Sequence, residues 1–199
     1  MATALLDRAK TYTPDDLLRI PDGHRFELVD GRLERRDMGT TSSWVGGELY
    51  ARVRDFCQAN RAGWVFAADA GYACFAGGRT VRFPDVSVIR FGRLPGEQLP
   101  EGHLTIPPDL AVEVVSPRDR VEKLERKLRD YRTAGVRLVW VIYPALGIAR
   151  VHRPDRTITE IAADEFLDGE AVLPGFRVRL GDLFPPRPGS TAPAAQPQP

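Results

Sequence analysis

A single acid interrupts the most apolar stretch of this sequence. Leu110-Ala111-Val112-Glu113-Val114-Val115 is a nearly continuous hydrophobic run, as in a strand buried on both faces, and Glu113 is its only charge. A carboxylate in such a place needs a cation, a metal or a raised pKa. A structural ion pair with an arginine on a neighbouring strand would satisfy it as well as a functional partner would. A second acid, Asp85, follows Pro84 in Phe83-Pro84-Asp85-Val86-Ser87-Val88. Pro-Asp pairs commonly cap a backbone amide in a turn. Twenty-eight residues separate Asp85 from Glu113, enough for a loop and a return into the same sheet. Two carboxylates converging at strand ends form a hard-oxygen site, which suits Mg2+ or Mn2+.

A cation is available shortly after the second acid. In a helix beyond residue 116, Val121, Leu124, Leu128 and Tyr131 share one face, and Lys127 lies about 40° from Tyr131 on its flank. A flanking lysine can simply extend to water; this one can also reach back toward the carboxylates, because its helix directly follows the strand of Glu113. Lys123 falls about 80° from Tyr131 and is expected to face solvent. From Ser116 to Arg137 there are eight basic and four acidic residues. Intrahelical pairs such as Glu122–Arg126 and Glu125–Arg129 would make this a solvated face; the alternative is a patch that meets phosphates. Glu27 is a further acid. In Arg25-Phe26-Glu27-Leu28-Val29 it points opposite to Phe26 and Leu28, where surface exposure is the default. His24, His103 and His152 are scattered and read as surface residues, and Cys57 and Cys74 form no CxxC pair. No phosphate-binding glycine loop or serine-nucleophile motif occurs.

The elements that must position these groups can be traced along the chain. Thr13-Pro14-Asp15-Asp16 opens a short helix that stops before Pro21. Asp30-Gly31 between two short alternating runs predicts a β-hairpin. Ser42 or Ser43 is expected to cap a helix to about Asn60, with Val45, Leu49, Val53 and Phe56 as its apolar stripe. Strands are expected at 64–68 and 71–75, joined by a tight turn, and at 80–89, where Pro84 marks an edge or a bulge. Residues 93–108 read as a loop. Ser116-Pro117-Arg118-Asp119 resembles a capping box, Gly135 ends the helix that follows, and residues 137–143 form a second buried strand. Strand, helix, strand in that order predicts a right-handed crossover and a parallel pair. Short strands are expected at 148–152, 157–161, 171–173 and 176–180. The class is α/β or α+β, a mixed sheet with helices.

With 199 residues and 43% hydrophobic residues, the chain supports one domain over 1–184, followed by a disordered Pro/Ala-rich tail at 185–199. A formal net charge of +1 argues against coating nucleic acid by bulk charge, while leaving room for a local basic groove. No apolar run is long enough to span a bilayer, and no basic start followed by an apolar stretch marks a signal peptide, so a cytoplasmic protein without membrane association is expected.

The order of these motifs resembles the Uma-two family of bacterial restriction-endonuclease-like proteins, part of the PD-(D/E)xK nuclease superfamily. The resemblance is carried by Arg25-Phe26-Glu27-Leu28-Val29-Asp30-Gly31, Phe83-Pro84-Asp85, Val112-Glu113-Val114-Val115-Ser116-Pro117, Lys127-Leu128-Arg129-Asp130-Tyr131, Ala134-Gly135-Val136, Val139-Trp140-Val141-Ile142 and Leu173-Pro174-Gly175-Phe176. It covers about residues 12–184. It implies a restriction-endonuclease-like core, a mixed central sheet flanked by helices, with extra N- and C-terminal strands. Asp85 and Glu113 match the family's metal-binding acids, and Glu27 matches an N-terminal acid that completes the site. The superfamily lysine usually lies two residues after the second acid; here that position is Val115, and Lys127 is the position that matches a lysine moved onto the next helix. Ser42-Ser43-Trp44 stands where many members carry a histidine, and Tyr143 where many carry an aspartate.

What the resemblance implies is a Mg2+- or Mn2+-dependent endonuclease, most naturally one that cuts DNA. Asp85, Glu113 and the Val114 carbonyl would hold the ion, and Lys127 would orient water or offset transition-state charge. No organic cofactor is implied. A homodimer is expected, since a domain of this size offers few surfaces on which to engage both strands. The alternative is a catalytically silent nuclease-fold module that binds nucleic acid or protein. An acid hydrolase using two carboxylates has no sugar-binding aromatic cluster to support it.

Overall fold

A computed structural model describes residues 10–37 and 39–186. The tail expected over 185–199 lies, beyond Pro186, outside the described residues. The N-terminal elements form as their sequence dictates. Helix α1 (Pro14–Arg19) opens on a capping box, in which Thr13 and Asp16 satisfy each other's backbone amides. Strands β1 (Phe26–Val29) and β2 (Arg32–Arg35) form a hairpin, with Asp30 and Gly31 both at positive φ, as a two-residue hairpin turn requires. Helix α2 (Thr40–Asn60) starts before the expected cap. Gly39 is the N-cap residue, and Ser42 donates its hydroxyl to the Gly39 carbonyl instead of accepting from an amide. Its buried stripe is Val45, Leu49, Val53 and Cys57, with Phe56 half-buried beside it.

Six strands make the central sheet: β3 (Gly63–Ala67), β4 (Val86–Arg90), β5 (Leu110–Val114), β6 (Leu138–Tyr143), β7 (Ile148–His152) and β8 (Ile158–Ala162), in that spatial order. Only β5 and β6 are parallel, and helix α3 (Val121–Ala134) makes the long connection such a pair requires. The fold is therefore α+β, with a mixed central sheet flanked by helices. The two-stranded β1–β2 sheet, and a second formed by β9 (Phe166–Asp168) and β10 (Arg177–Arg179), are the extra terminal strands.

The pleat sorts side chains onto two faces. Leu110, Val112 and Val114 of β5 face α2, in a core that includes Trp140 and is closed by Leu173 and Phe176 of the C-terminal hairpin. Ala111 faces the opposite way, toward Leu128 and Tyr131 of α3. Glu113, two residues on, shares that second face. A third cluster, Tyr12, Leu17, Leu28, Val81 and Phe83, seats the N-terminal hairpin.

Three expectations fail locally. Residues 71–75 form no strand: Tyr72 exchanges hydrogen bonds with Arg82, while Ala73 donates to Leu104, so the backbone is shared between two partners and no ladder develops. Ser116 to Asp119 is a turn, not a helix start. The Ser116 amide donates to the Asp119 carboxylate at 2.6 Å, and α3 begins at Val121 without a side-chain cap. Here local side-chain bonding outcompetes helix initiation. Residues 171–173 turn the chain rather than extend it, and the strand that pairs with β10 is β9.

Because β5 is wholly enclosed, Leu110→Ala is expected to cost about 2–5 kcal/mol. Leu146→Ala, at an exposed site, should change stability by less than about 0.5 kcal/mol. Urea unfolding of the two variants checks the difference.

Candidate active site

Each site residue is delivered by a different element. Glu113 is the fourth residue of β5. Asp85 lies just before β4, where its amide donates to the Val112 carbonyl at 2.8 Å and its carboxylate accepts from the Val114 amide at 2.7 Å. This places the two acids at the ends of adjacent strands. Lys127 comes from α3 and reaches back to Glu113 at 2.6 Å and to Glu27 at 3.0 Å. Glu27 arrives from β1, which is held beside residues 81–82 by paired backbone bonds between Leu28 and Val81. All four line one small pocket of about 80 Å3, with the Val114 backbone at its edge.

Glu27 is not the exposed residue that simple alternation predicts. It is 7% exposed, and it accepts from Arg82 at 2.8 Å and from the Phe83 amide at 3.2 Å. Arg82, itself 2% exposed, forks its other nitrogens onto Asp130 of α3. Glu113 pairs with Lys127 of α3, not with an arginine of a neighbouring strand, and its other oxygen accepts from the Tyr131 hydroxyl. The sequence pattern alone does not single out Arg82, Asp130 or the Tyr131 hydroxyl as site groups. A signal existed for Arg82, a charge between Val81 and Phe83 in an apolar run. Tyr131 was legible only as part of a hydrophobic stripe.

Lys123 also departs from expectation. It does not simply face solvent: it lines the pocket rim, 3.7 Å from Asp37 and 3.4 Å from the Arg35 carbonyl. The intrahelical pairs expected on α3 are absent among the described residues. Arg126 crosses instead to Glu34 of β2 at 3.0 Å.

Burial and charge set the protonation of this cluster. Burial raises the Glu113 pKa, and the nearby charges of Asp85 and Glu27 add to it against the pull of Lys127. Burial likewise raises Asp85, with Lys127 and the Val114 amide opposing. Burial works against the ionised form of Glu27 too, but Lys127 and Arg82 outweigh it and hold that carboxyl below its ordinary range. Burial would discharge Lys127, yet Glu113, Glu27 and Asp85 keep it firmly protonated. The result is a fixed ammonium beside two acids that lack sufficient compensating charge.

Among the described residues, no group of three or more His, Cys, Asp or Glu side chains is disposed to hold a metal ion. Glu27 is committed to Arg82 and Lys127. Glu113 likewise bonds Lys127 and Tyr131, and Asp85 lines the same pocket with one oxygen that makes no hydrogen bond among the described residues. Two carboxylates and a backbone carbonyl are a donor set that fits a small hard cation retaining several of its waters.

The Uma2 family, described as "Putative restriction endonuclease", matches residues 14–181. The chain belongs to this family. The Uma2 chain is also similar in structure to a protein from Anabaena variabilis ATCC 29413, described as a "putative nuclease belonging to DUF820". The TM-score is 0.73 at 21% identity, covering 86% of this chain and 97% of the other. That likeness shows a shared fold. No curated protein matches the sequence. No helix among the described residues is long and apolar enough to cross a membrane.

Removing Arg82 takes one of two cations from the buried Glu27 carboxylate and the cation from Asp130, so Arg82→Met should cost about 3–5 kcal/mol. Adding Glu27→Gln should recover part of that loss, since the charge needing a partner has gone. Guanidinium unfolding of the single and double variants measures this, and strict additivity would contradict it.

Proposed function

We propose that this Uma2 protein is a metal-dependent endonuclease that hydrolyses phosphodiester bonds, with DNA as its substrate. The observation that carries the reading is the meeting of Asp85, Glu113 and Lys127 in one pocket at the ends of β4 and β5. Asp85, Glu113 and the Val114 carbonyl would hold Mg2+ or Mn2+. When bound, such an ion supplies Lewis-acid charge neutralisation and a more acidic water. Lys127 presents a permanently charged donor where a scissile phosphate gains negative charge. Glu27 acts by holding Lys127, which otherwise has Glu113 alone to orient it. Tyr131 fixes the Glu113 carboxyl from behind. Lys123 and Arg36 line the same pocket and offer further phosphate contacts. The family description and the nuclease-like neighbour support phosphodiester chemistry over other carboxylate-dependent hydrolysis.

Plasmid nicking in the presence of Mg2+ or Mn2+ tests this proposal. Asp85→Asn and Glu113→Gln should each lower the rate by about 100-fold or more with folding retained, and Lys127→Ala should lower it as far while also destabilising the fold, since it leaves Glu113 and Glu27 without their shared cation. Lys123→Ala should lower it by much less, because that lysine bonds Asp37 and Arg35 and not the two acids. A wild-type protein that cuts neither DNA nor RNA with any divalent ion would favour a binding module instead.

We also infer a symmetric homodimer, because engaging both strands with a chain of this size calls for two copies. Light scattering should give twice the chain mass at working concentration. A monomer mass would contradict it.

A further inference from the structure

Helix α3 is basic on two sides, and the site described above uses only one of them. At 100° per residue, Arg132 lies about 140° and Arg129 about 160° around the helix from Lys127. On that far side a second pocket, about 190 Å3, opens between α3 and the turn from β7 to β8. This is roughly six water volumes, room for a hydrated anion. Arg129 and Arg132 of α3, Arg153 and Arg156 of the turn, and His152 of β7 all line it. Leu128, Val136 and Val139 form an apolar floor.

The charge in this pocket is not balanced. Arg153 is neutralised by Glu170 at 2.7 Å. Arg129, Arg132 and Arg156 have no acidic partner within salt-bridge distance among the described residues. Glu125 is the one acid lining the pocket, and Asp155 in the turn is engaged by the Thr157 amide and hydroxyl. His152 is half-buried, not the surface residue its sequence position implied, and its Nε2 lacks a hydrogen-bond partner. Its register opposite Val139 fixes the ring on the face that α3 covers. Arginine is the side chain best suited to phosphate, since its planar fork offers paired donors and never loses its charge.

We propose that this pocket binds a phosphate group, at a site separate from the carboxylate pocket and independent of the cleavage reading. The phosphate can belong to a nucleic-acid backbone or to a free phosphate species; the chemistry of recognition is the same. Three guanidinium groups without an acidic partner supply the charge, two from α3 and Arg156 from the turn between β7 and β8. The Arg156 backbone is at φ 70°, within a turn in which the Arg153 amide donates to the Thr157 carbonyl and the Arg156 amide to the Arg153 carbonyl. The pocket wall is thereby preformed by backbone geometry as well as by side chains.

The experiment follows the His152 ring nitrogens by 1H–15N NMR in the full chain, with His152→Gln assigning the signal among the three histidines. Inorganic phosphate should shift the His152 signal saturably, and chloride at equal ionic strength should not. The double variant Arg132→Ala/Arg156→Ala should weaken phosphate binding by at least about tenfold while keeping the wild-type melting temperature. A short duplex DNA that gives the same shift and competes with phosphate would identify the source as a nucleic-acid backbone. A shift with phosphate alone would identify a free phosphate species. No saturable shift with either probe, or equal affinity in the double variant, would overturn the proposal.

Discussion

The carboxylate of Glu113 cannot be buried alone, and the neighbourhood is arranged around that fact. Desolvating an ionised acid costs several kcal/mol unless a partner and further hydrogen bonds replace the lost water. Lys127 and Tyr131 supply these from α3. Lys127 is then itself a buried cation that needs more than one acid, and Glu27 provides the second. Glu27 in turn draws in Arg82, which draws in Asp130. The outcome is an alternating chain of charges from Asp130 through Arg82, Glu27 and Lys127 to Glu113. It ties the N-terminal hairpin, the segment before β4, the central strand and α3 together. Such a network is weak evidence for net stability. Its effect is to give each charged side chain one geometry, because every alternative leaves another charge unpaired.

Asp85 stands slightly outside this chain, and that gives it a different role. Its amide and carboxylate are both tied to the β5 backbone, at Val112 and Val114. Pro84 ends the preceding segment, so the carboxylate projects where pairing between β4 and β5 begins. The antiparallel register of these strands sets its distance from Glu113. A register slip of one residue would turn Glu113 into the α2 core and bring Val112 or Val114 to the pocket. The hydrophobic faces of β5 prevent that slip. The packing of Leu110, Val112 and Val114 against α2 is thus what aims the acid at α3.

The connection from β5 through α3 to β6 decides how a cation reaches the acids. Val115, two residues past Glu113, points into the second core, half-buried among apolar neighbours. It leaves no polar group on that stretch of strand to serve as a cation. The turn at Ser116 to Asp119 brings the chain back over the sheet, and α3 returns with Lys127 one turn before Tyr131. The same helix then presents Arg129 and Arg132 to the opposite side, above β7. One amphipathic helix separates two polar environments, with Leu128 and Tyr131 packed between them.

The local elements were legible in the sequence because short-range chemistry determines them. Thr13 with Asp16, Asp30-Gly31 and Gly135 at the end of α3 each satisfy a backbone requirement within a few residues. The parallel pair follows from strand, helix and strand, and Glu113 stands out as the only charge in an apolar run. The structure departs from the local pattern at 71–75 and 116–119, where the backbone bonds to a distant segment or to its own side chains, and at 171–173, where the Val172 and Leu173 amides close a turn on the Gly169 carbonyl. Tertiary structure alone decided the rest. Glu27 is buried because β1 lies beside Arg82, 55 residues away, a contact invisible to an alternation rule. Helix angle alone points Lys123 to solvent, yet the β1–β2 hairpin covers its end of α3 and turns it to the rim. The gathering of arginines beside His152 likewise depends on the β7–β8 turn folding back over α3. A sequence shows which charges exist and which would be costly to bury. Which partner relieves each one is set by the packing of elements far apart in the chain, because electrostatic pairing acts through space.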